Sequence, residues 1–188
     1  MYTAYIGMGA NLASNAGPPE ATLAAAALRL ESLGRVVRRS SLYSTAPVGF
    51  AAQPRFINAV VALETTLAPR LLLEGLLAIE KEFGRDRATG FTNGPRTLDL
   101  DILLLGDLRI SEPGLEIPHA RLAERAFVLV PLAEIASQAV DPSHSKTVAQ
   151  LLSALLERQE SDSHAVVEIQ SEFWRTGAGG NHLGPAAA

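Results

Sequence analysis

Along residues 55 to 64, RFINAVVALE, apolar positions recur every second residue: Ile57, Ala59, Val61 and Leu63 fall on one side, Phe56, Asn58, Val60 and Ala62 on the other. That period predicts a strand whose second face is mixed only at its beginning. Shorter runs, TAYIGM at 3 to 8 and VVRRSSLY at 36 to 43, suit two more strands. Between them Leu23, Ala27 and Leu30, with Ala26 and Leu33, repeat at helical spacing, so a helix is predicted from Pro18 or Pro19 until Gly34 stops it. After Pro69, RLLLEGLLAIEKEFG places Leu72, Leu76, Ile79 and Phe83 on one stripe, flanked by Leu73 and Leu77, and ends at Gly84.

The next strand, TLDLDILLL at 97 to 105, follows a loop over 85 to 96, and helices are predicted at 121 to 135, interrupted at Pro131, and at 147 to 158. Pro47, Gly49 and Pro54 make STAPVGFAAQP a long irregular loop, a kind often functional in compact domains. The order strand, helix, strand, strand, helix, strand is that of a ferredoxin-like α/β (α+β) fold, helices covering one face of a mainly antiparallel sheet. Beyond about residue 160 the pattern fades into TGAGGNHLGPAAA. The expected organisation is one domain over 1–160 and a flexible tail over 161–188.

Composition narrows the function. At 188 residues, 47% hydrophobic but only 5% aromatic, the chain has room for one core built on aliphatic packing. No apolar run reaches the roughly 18 residues of a membrane span, and MYTAYIGMGANL lacks the basic region of a secretory signal, so a cytoplasmic protein without membrane partners is expected. With no cysteine there is no disulfide, thiolate metal site or thiol nucleophile, and any metal must be held by oxygen or imidazole. A net charge of −4 argues against nucleic acid as a partner.

The chemistry concentrates in GPRTLDLD, residues 94 to 101. Thr97, Asp99 and Asp101 share one strand face, which turns apolar at Leu103 and Leu105, while Leu98, Leu100, Ile102 and Leu104 share the other. Two carboxylates at the open end of a central strand repel each other, so a cation is expected between them. Oxygen ligands suit Mg²⁺, which takes one or two carboxylates and completes its shell with waters and phosphates. A bare D-x-D is commonly a solvated edge, but Arg85, Arg87 and Arg96 stand just upstream, and guanidinium forks match phosphate oxygens. Neither Lys81 nor Lys146 follows a glycine cradle, so a Walker-type loop is excluded.

These residues resemble the 6-hydroxymethyl-7,8-dihydropterin pyrophosphokinases of folate biosynthesis. GPRTLDLDILLLGD is similar to that family's signature, and YIGMGANL, YSTAPVGFAAQPRFINAVVALET and IPHARLAERAFVLVPLAEIA accompany it in order, from about residue 3 to about residue 158. The resemblance implies an enzyme that transfers pyrophosphate from ATP to the pterin hydroxymethyl group, releasing AMP, with two Mg²⁺ ions on Asp99 and Asp101, and a monomer is expected. It implies a catalytic set of Arg85, Arg96, Asp99 and Asp101. ATP would be met by Glu80, Arg85, Arg87, Arg96, Ile102, His119 and Arg125. The pterin would be met by Thr45, Val48, Phe56, Asn58 and Phe127, two rings for stacking and a polar edge for orientation. Periodicity independently puts Phe56 and Asn58 on one face.

This chain departs from the family pattern at Asn93, where a bulky aromatic often precedes Gly-Pro-Arg and Phe91 stands two residues earlier, and at Ala46, Leu77 and Ala120. No carboxylate stands out as a general base. Two rival readings keep the fold: a nucleotidyl-transfer palm, disfavoured by the acidic total charge, and a non-catalytic ligand-binding module whose Asp pair holds a structural ion.

Overall fold

The structure, a computed structural model, describes residues 1–86, 94–158 and 166–174. In chain order the elements are β1 (Tyr2–Ala10), α1 (Pro19–Arg29), β2 (Arg35–Arg39), β3 (Leu42–Thr45), β4 (Phe56–Thr65), α2 (Pro69–Glu82), β5 (Asp99–Leu105), β6 (Ile110–Glu112), β7 (Leu115–Ile117), α3 (Ala126–Ala136), β8 (Val140–Asp141), β9 (Lys146–Thr147), α4 (Val148–Arg158) and β10 (Val167–Ile169). The main sheet runs β10-β3-β4-β1-β5, with β2 also on β4, and every pairing is antiparallel. The expected ferredoxin-like order is present, with β1 and β4 at its centre.

Alternation along the central strands sorts the core. Ala4, Ile6, Met8, Ile57, Ala59, Val61 and Leu63 pack under α1 and α2 with Leu23, Leu30, Leu72 and Leu76. Val60 and Ala62 point the other way and meet Leu129, Leu132, Leu151 and Leu155 of α3 and α4. Helices therefore cover both faces, not one as expected, because the second face of β4 is apolar beyond Asn58 and has to be buried.

Other boundaries move for local reasons. The strand expected at 36 to 43 is two strands: Ser40 is fully buried, its N–H donating to the Val60 carbonyl at 2.9 Å and its Oγ accepting from the Val60 N–H at 2.9 Å, and the chain jogs there. In β5 the register against β1 shifts between Tyr5 and Ile6, whose partners are Leu104 and Ile102. The extra residue, Leu103, inverts the alternation, so Leu104 faces α3 and α4 while Leu105 joins Ile102 on the opposite side, the reverse of the simple period. Helix α3 runs through Pro131 without interruption; Val128, Leu129, Leu132 and Ile135 are buried around it, and that packing outweighs one missing N–H bond.

The fold also continues past residue 160. Val167, Glu168 and Ile169 pair with Ser44, Tyr43 and Leu42, and Trp174 is buried, its indole N–H donating to the Ser40 carbonyl at 2.7 Å. This part of the expected tail is an edge strand with an anchor, which a three-residue strand in polar sequence does not announce. Residues 159–165 and 175–188 lie outside the described residues.

Candidate active site

A cleft of about 220 Å³ opens where the ends of β1, β4 and β5 emerge beside the start of α3. Its floor is β1, and the floor is low because Gly7 and Gly9 carry no side chain: a Cβ on Gly9 would stand 3.1 Å from Asn58 Oδ1, and one on Gly7 3.1 Å from Leu103 Cδ2. Gly9 pairs with Asn58 on one side and with Asp99 on the other. The amide and the carboxylate therefore stand on one rung of the sheet, two strand spacings or about 10 Å apart along the backbone, with bare glycine between them.

At the β4 side Asn58 Nδ2 donates to Thr45 Oγ1 at 2.8 Å, and both residues are almost wholly buried. This bond fixes the amide so that Oδ1 lies over Gly9. Phe56, Phe127 and Val48 line the same end. The Arg96 guanidinium carbon lies 5.2 Å from the Phe56 ring centroid and that of Arg125 5.5 Å from Phe127, so each ring abuts a cation.

At the β5 side Arg96 Nη1 donates to Asp99 Oδ2 at 2.7 Å, and Arg85 Nη2 stands 3.7 Å from Oδ1. Asp101 is more open, 40% exposed, with His119 Nε2 4.0 Å from its Oδ2. The His119 N–H donates to the Leu103 carbonyl at 3.0 Å, and Nδ1 accepts the Arg121 N–H at 3.0 Å, which leaves the proton of neutral His119 on Nε2, facing Asp101. Burial holds the His119 imidazole below its ordinary 6.5, opposed by Asp101 and reinforced by Arg125. Burial likewise lowers Arg125, helped by neighbouring Arg121.

Of the expected residues, Thr45, Val48, Phe56, Asn58, Arg96, Asp99, Asp101, Arg125 and Phe127 line the cleft. Arg85 and His119 reach it through the carboxylates. Ile102 turns its side chain into the core on the other side of the sheet, as alternation from Asp101 requires. Glu80, 1% exposed on the apolar stripe of α2, accepts the Leu100 N–H at 2.8 Å, so it grips the strand between the two aspartates from behind instead of facing the cleft. Arg87, Phe91 and Asn93 lie outside the described residues.

Sequence reasoning missed several participants. Asn11, 3% exposed, donates to Gln53 Oε1 at 3.0 Å and to the Pro54 carbonyl at 3.1 Å, and accepts the Arg96 N–H at 2.8 Å. It ties the loop before β4 to the arginine before β5; a polar residue directly after an apolar strand was the available signal. Gly7 and Gly9 were legible as glycines two apart on the face opposite Ile6 and Met8. Arg121, Glu124 and Val166 also border the cleft and carried no signal.

Among the described residues no three His, Cys, Asp or Glu side chains form a closed cage. Two oxygen-bearing groups on one open strand face do match a hard divalent ion that keeps waters and shares phosphate oxygens, so Asp99 and Asp101 fit Mg²⁺.

Comparison with known proteins gives the family. A family model described as 7,8-dihydro-6-hydroxymethylpterin-pyrophosphokinase matches residues 5–137. A Pseudomonas aeruginosa protein named 2-amino-4-hydroxy-6-hydroxymethyldihydropteridine pyrophosphokinase is 48% identical over 134 residues, 70% of this chain and 79% of that one. A Haemophilus influenzae protein of the same name is 44% identical over 154 residues, 81% of this chain and 92% of that one. Among solved structures, wild-type Plasmodium falciparum HPPK-DHPS superposes with a TM-score of 0.66 at 15% identity, covering 85% of this chain. This chain spans 45% of that longer one, and the likeness speaks to the fold alone.

Proposed function

The chain belongs to the 7,8-dihydro-6-hydroxymethylpterin-pyrophosphokinase family, and from that premise we propose how its own residues divide the work. The enzyme transfers pyrophosphate from ATP to the hydroxymethyl group of 6-hydroxymethyl-7,8-dihydropterin in folate synthesis. The oxygen–β-phosphorus bond forms as the bond to the α-phosphate bridge breaks, so AMP leaves. Family membership sets aside the palm and binding-module readings.

The observation that carries the assignment is the rung Asn58, Gly9, Asp99. The pterin lies at the Asn58 end, its ring between Phe56 and Phe127 and a ring N–H donating to Asn58 Oδ1, which the Thr45 hydroxyl holds in orientation. Val48 adds an apolar wall. The triphosphate lies at the Asp99 end, where Arg96, Arg85 and Arg125 supply positive charge and His119 presents its Nε2 proton. Bare glycine between the two ends lets the hydroxymethyl oxygen reach the β-phosphorus without a side chain in the way, and such positioning is most of what phosphoryl-type transfer asks of a protein.

Asp99 and Asp101 are the side chains that would hold Mg²⁺, two ions in this reading, and the cation supplies charge neutralisation to the triphosphate. Arg96 then exchanges Asp99 for a phosphate oxygen, an exchange made easy because Arg96 is already beside the carboxylate. Glu80 and Asn11 are positioning residues: one fixes Leu100 between the ligands, the other fixes Arg96. Arg87 joins the arginine set as the family pattern implies. A cytoplasmic monomer is the setting we propose; the cleft is built within one chain, and among the described residues no helix is long and apolar enough to cross a membrane.

The test is nucleotide chromatography after incubation with ATP, pterin and Mg²⁺, repeated after chelation of divalent cations. AMP is expected only when pterin and cation are both present and should return on adding Mg²⁺. AMP formation at full rate in chelator would overturn the role given to the carboxylates.

A further inference from the structure

Val166 stands outside the stretch that the family model matches, residues 5–137, yet it lines the cleft with Thr45, Phe56 and Phe127. Its place follows from β10. Val167 pairs with Ser44, so Val166 lies opposite Thr45, and Thr45 pairs with Phe56. Val166, directly before β10, thus stands in one row with Thr45 of β3 and Phe56 of β4. Val167 and Ile169 turn to the other side, where Ile169 packs against the core under α1 and α2.

The strand is held along one edge and beyond its end. Three residue pairs join it to β3. Five residues on, Trp174 is 6% exposed, donates to the Ser40 carbonyl at 2.7 Å and stacks under Arg39, whose guanidinium carbon is 5.7 Å from the ring centroid. Ser40 is the fully buried residue at the jog between β2 and β3, so the anchor grips the backbone that leads into Thr45.

We propose that β10 is a substrate-positioning strap: Val166 closes the apolar end of the cleft against the pterin ring, and Trp174 keeps it there. The proposal rests on the reading that the Asn58 end binds pterin. An aliphatic side chain beside the aromatic walls adds contact to a flat heteroaromatic ligand and excludes water from it, while the phosphate end, across Gly9, is out of its reach.

The experiment measures KM for pterin and for ATP separately in Val166→Asp, Val166→Ala and Val166→Ile. A carboxylate on the apolar wall should raise the pterin KM roughly tenfold, and the Ala change about threefold, with the ATP KM within about twofold of the parent. Val166→Ile, which keeps the wall aliphatic, should stay within about twofold for both substrates. Pterin KM unchanged in Val166→Asp, or both KM values raised alike, overturns the strap. Phe127→Ala is run alongside. If it raises the pterin KM while Val166→Asp does not, the strap alone fails; if neither does, the reading of the pterin end fails, and the strap with it.

Discussion

Replacing each aspartate of β5 by asparagine separates two roles that the same strand face combines. Asp99 is 24% exposed and is held by Arg96 at 2.7 Å and Arg85 at 3.7 Å. At an effective dielectric of about 20 the Arg96 contact has a gross attraction of roughly 6 kcal/mol, most of it offset by desolvation. What remains for a charged hydrogen bond of this exposure is about 2 kcal/mol. Asp99→Asn should therefore destabilise the fold by about 2 kcal/mol, lowering the melting temperature by roughly 4–8 °C for a chain of this size. Asp101 is 40% exposed, its His119 contact is 4.0 Å, and it sits beside a like charge. At this exposure solvent screens whatever pairs with Asp101, so Asp101→Asn should cost less than Asp99→Asn, at most about 1 kcal/mol.

Turnover should not follow stability. Both carboxylates are assigned to the cation, so both variants should lose AMP formation by at least about a hundredfold, at a temperature where both are folded. Urea unfolding and nucleotide chromatography on the same preparations decide the matter. An Asp101→Asn enzyme with near-parent turnover would refute the ligand assignment. Equal destabilisation by the two variants would refute the view that Arg96 and Arg85 prefer Asp99.

Three further outcomes are expected. Phe127→Ala should weaken pterin binding by roughly tenfold while leaving ATP binding within about twofold, since it removes one wall from the ring site; calorimetry showing equal losses would count against stacking. Glu80→Ala should cost about 1–3 kcal/mol in urea unfolding, because the Leu100 N–H loses its buried acceptor, and it should also reduce turnover by loosening the strand between Asp99 and Asp101; full activity in a folded Glu80→Ala would remove it from the positioning set. Burial, with Glu134 accepting its hydroxyl proton at 3.0 Å, pushes Tyr43 up to about 12 from 10.0. Because the folded value is the higher, the unfolded chain gives up this proton first. The stabilisation should be complete below about pH 10 and fade as pH rises toward about 12, a fade that Tyr43→Phe should remove from the alkaline unfolding profile.

Much of this was legible because the informative elements obey one periodicity each. In β4 the period of two assigned Ile57, Ala59, Val61 and Leu63 to one core and placed Phe56 and Asn58 on the cleft, and in α2 the stripe Leu72, Leu76, Ile79, Phe83 is buried as spaced. The errors arise where one residue carries two demands. Leu103 is the extra residue of a bulge, invisible in an unbroken run ILLL, and it exchanges the faces of Leu104 and Leu105. Ser40 reads as a polar strand position but is a fully buried jog whose hydroxyl and N–H both serve Val60.

The site divides along the same line. Side chains on the cleft face of a strand were readable from spacing and resemblance; those that act from behind or from afar were not. Glu80 occupies an apolar-stripe position in α2, and its spacing marks burial, yet only the fold brings its carboxylate to the Leu100 N–H, twenty residues on. Asn11 joins partners 42 and 85 positions away, and such distances leave no local pattern. Val166 directly precedes a three-residue strand, too short for any period to register, and is placed by that strand's pairing with β3 and by the hold of Trp174 on the Ser40 carbonyl. The working faces of this cleft are thus encoded locally, while its rigidity is encoded in contacts between distant parts of the chain. Variants at Glu80, Asn11 and Trp174 should accordingly act on alignment, and those at Asp101, Phe127 and Asn58 on the ligands themselves.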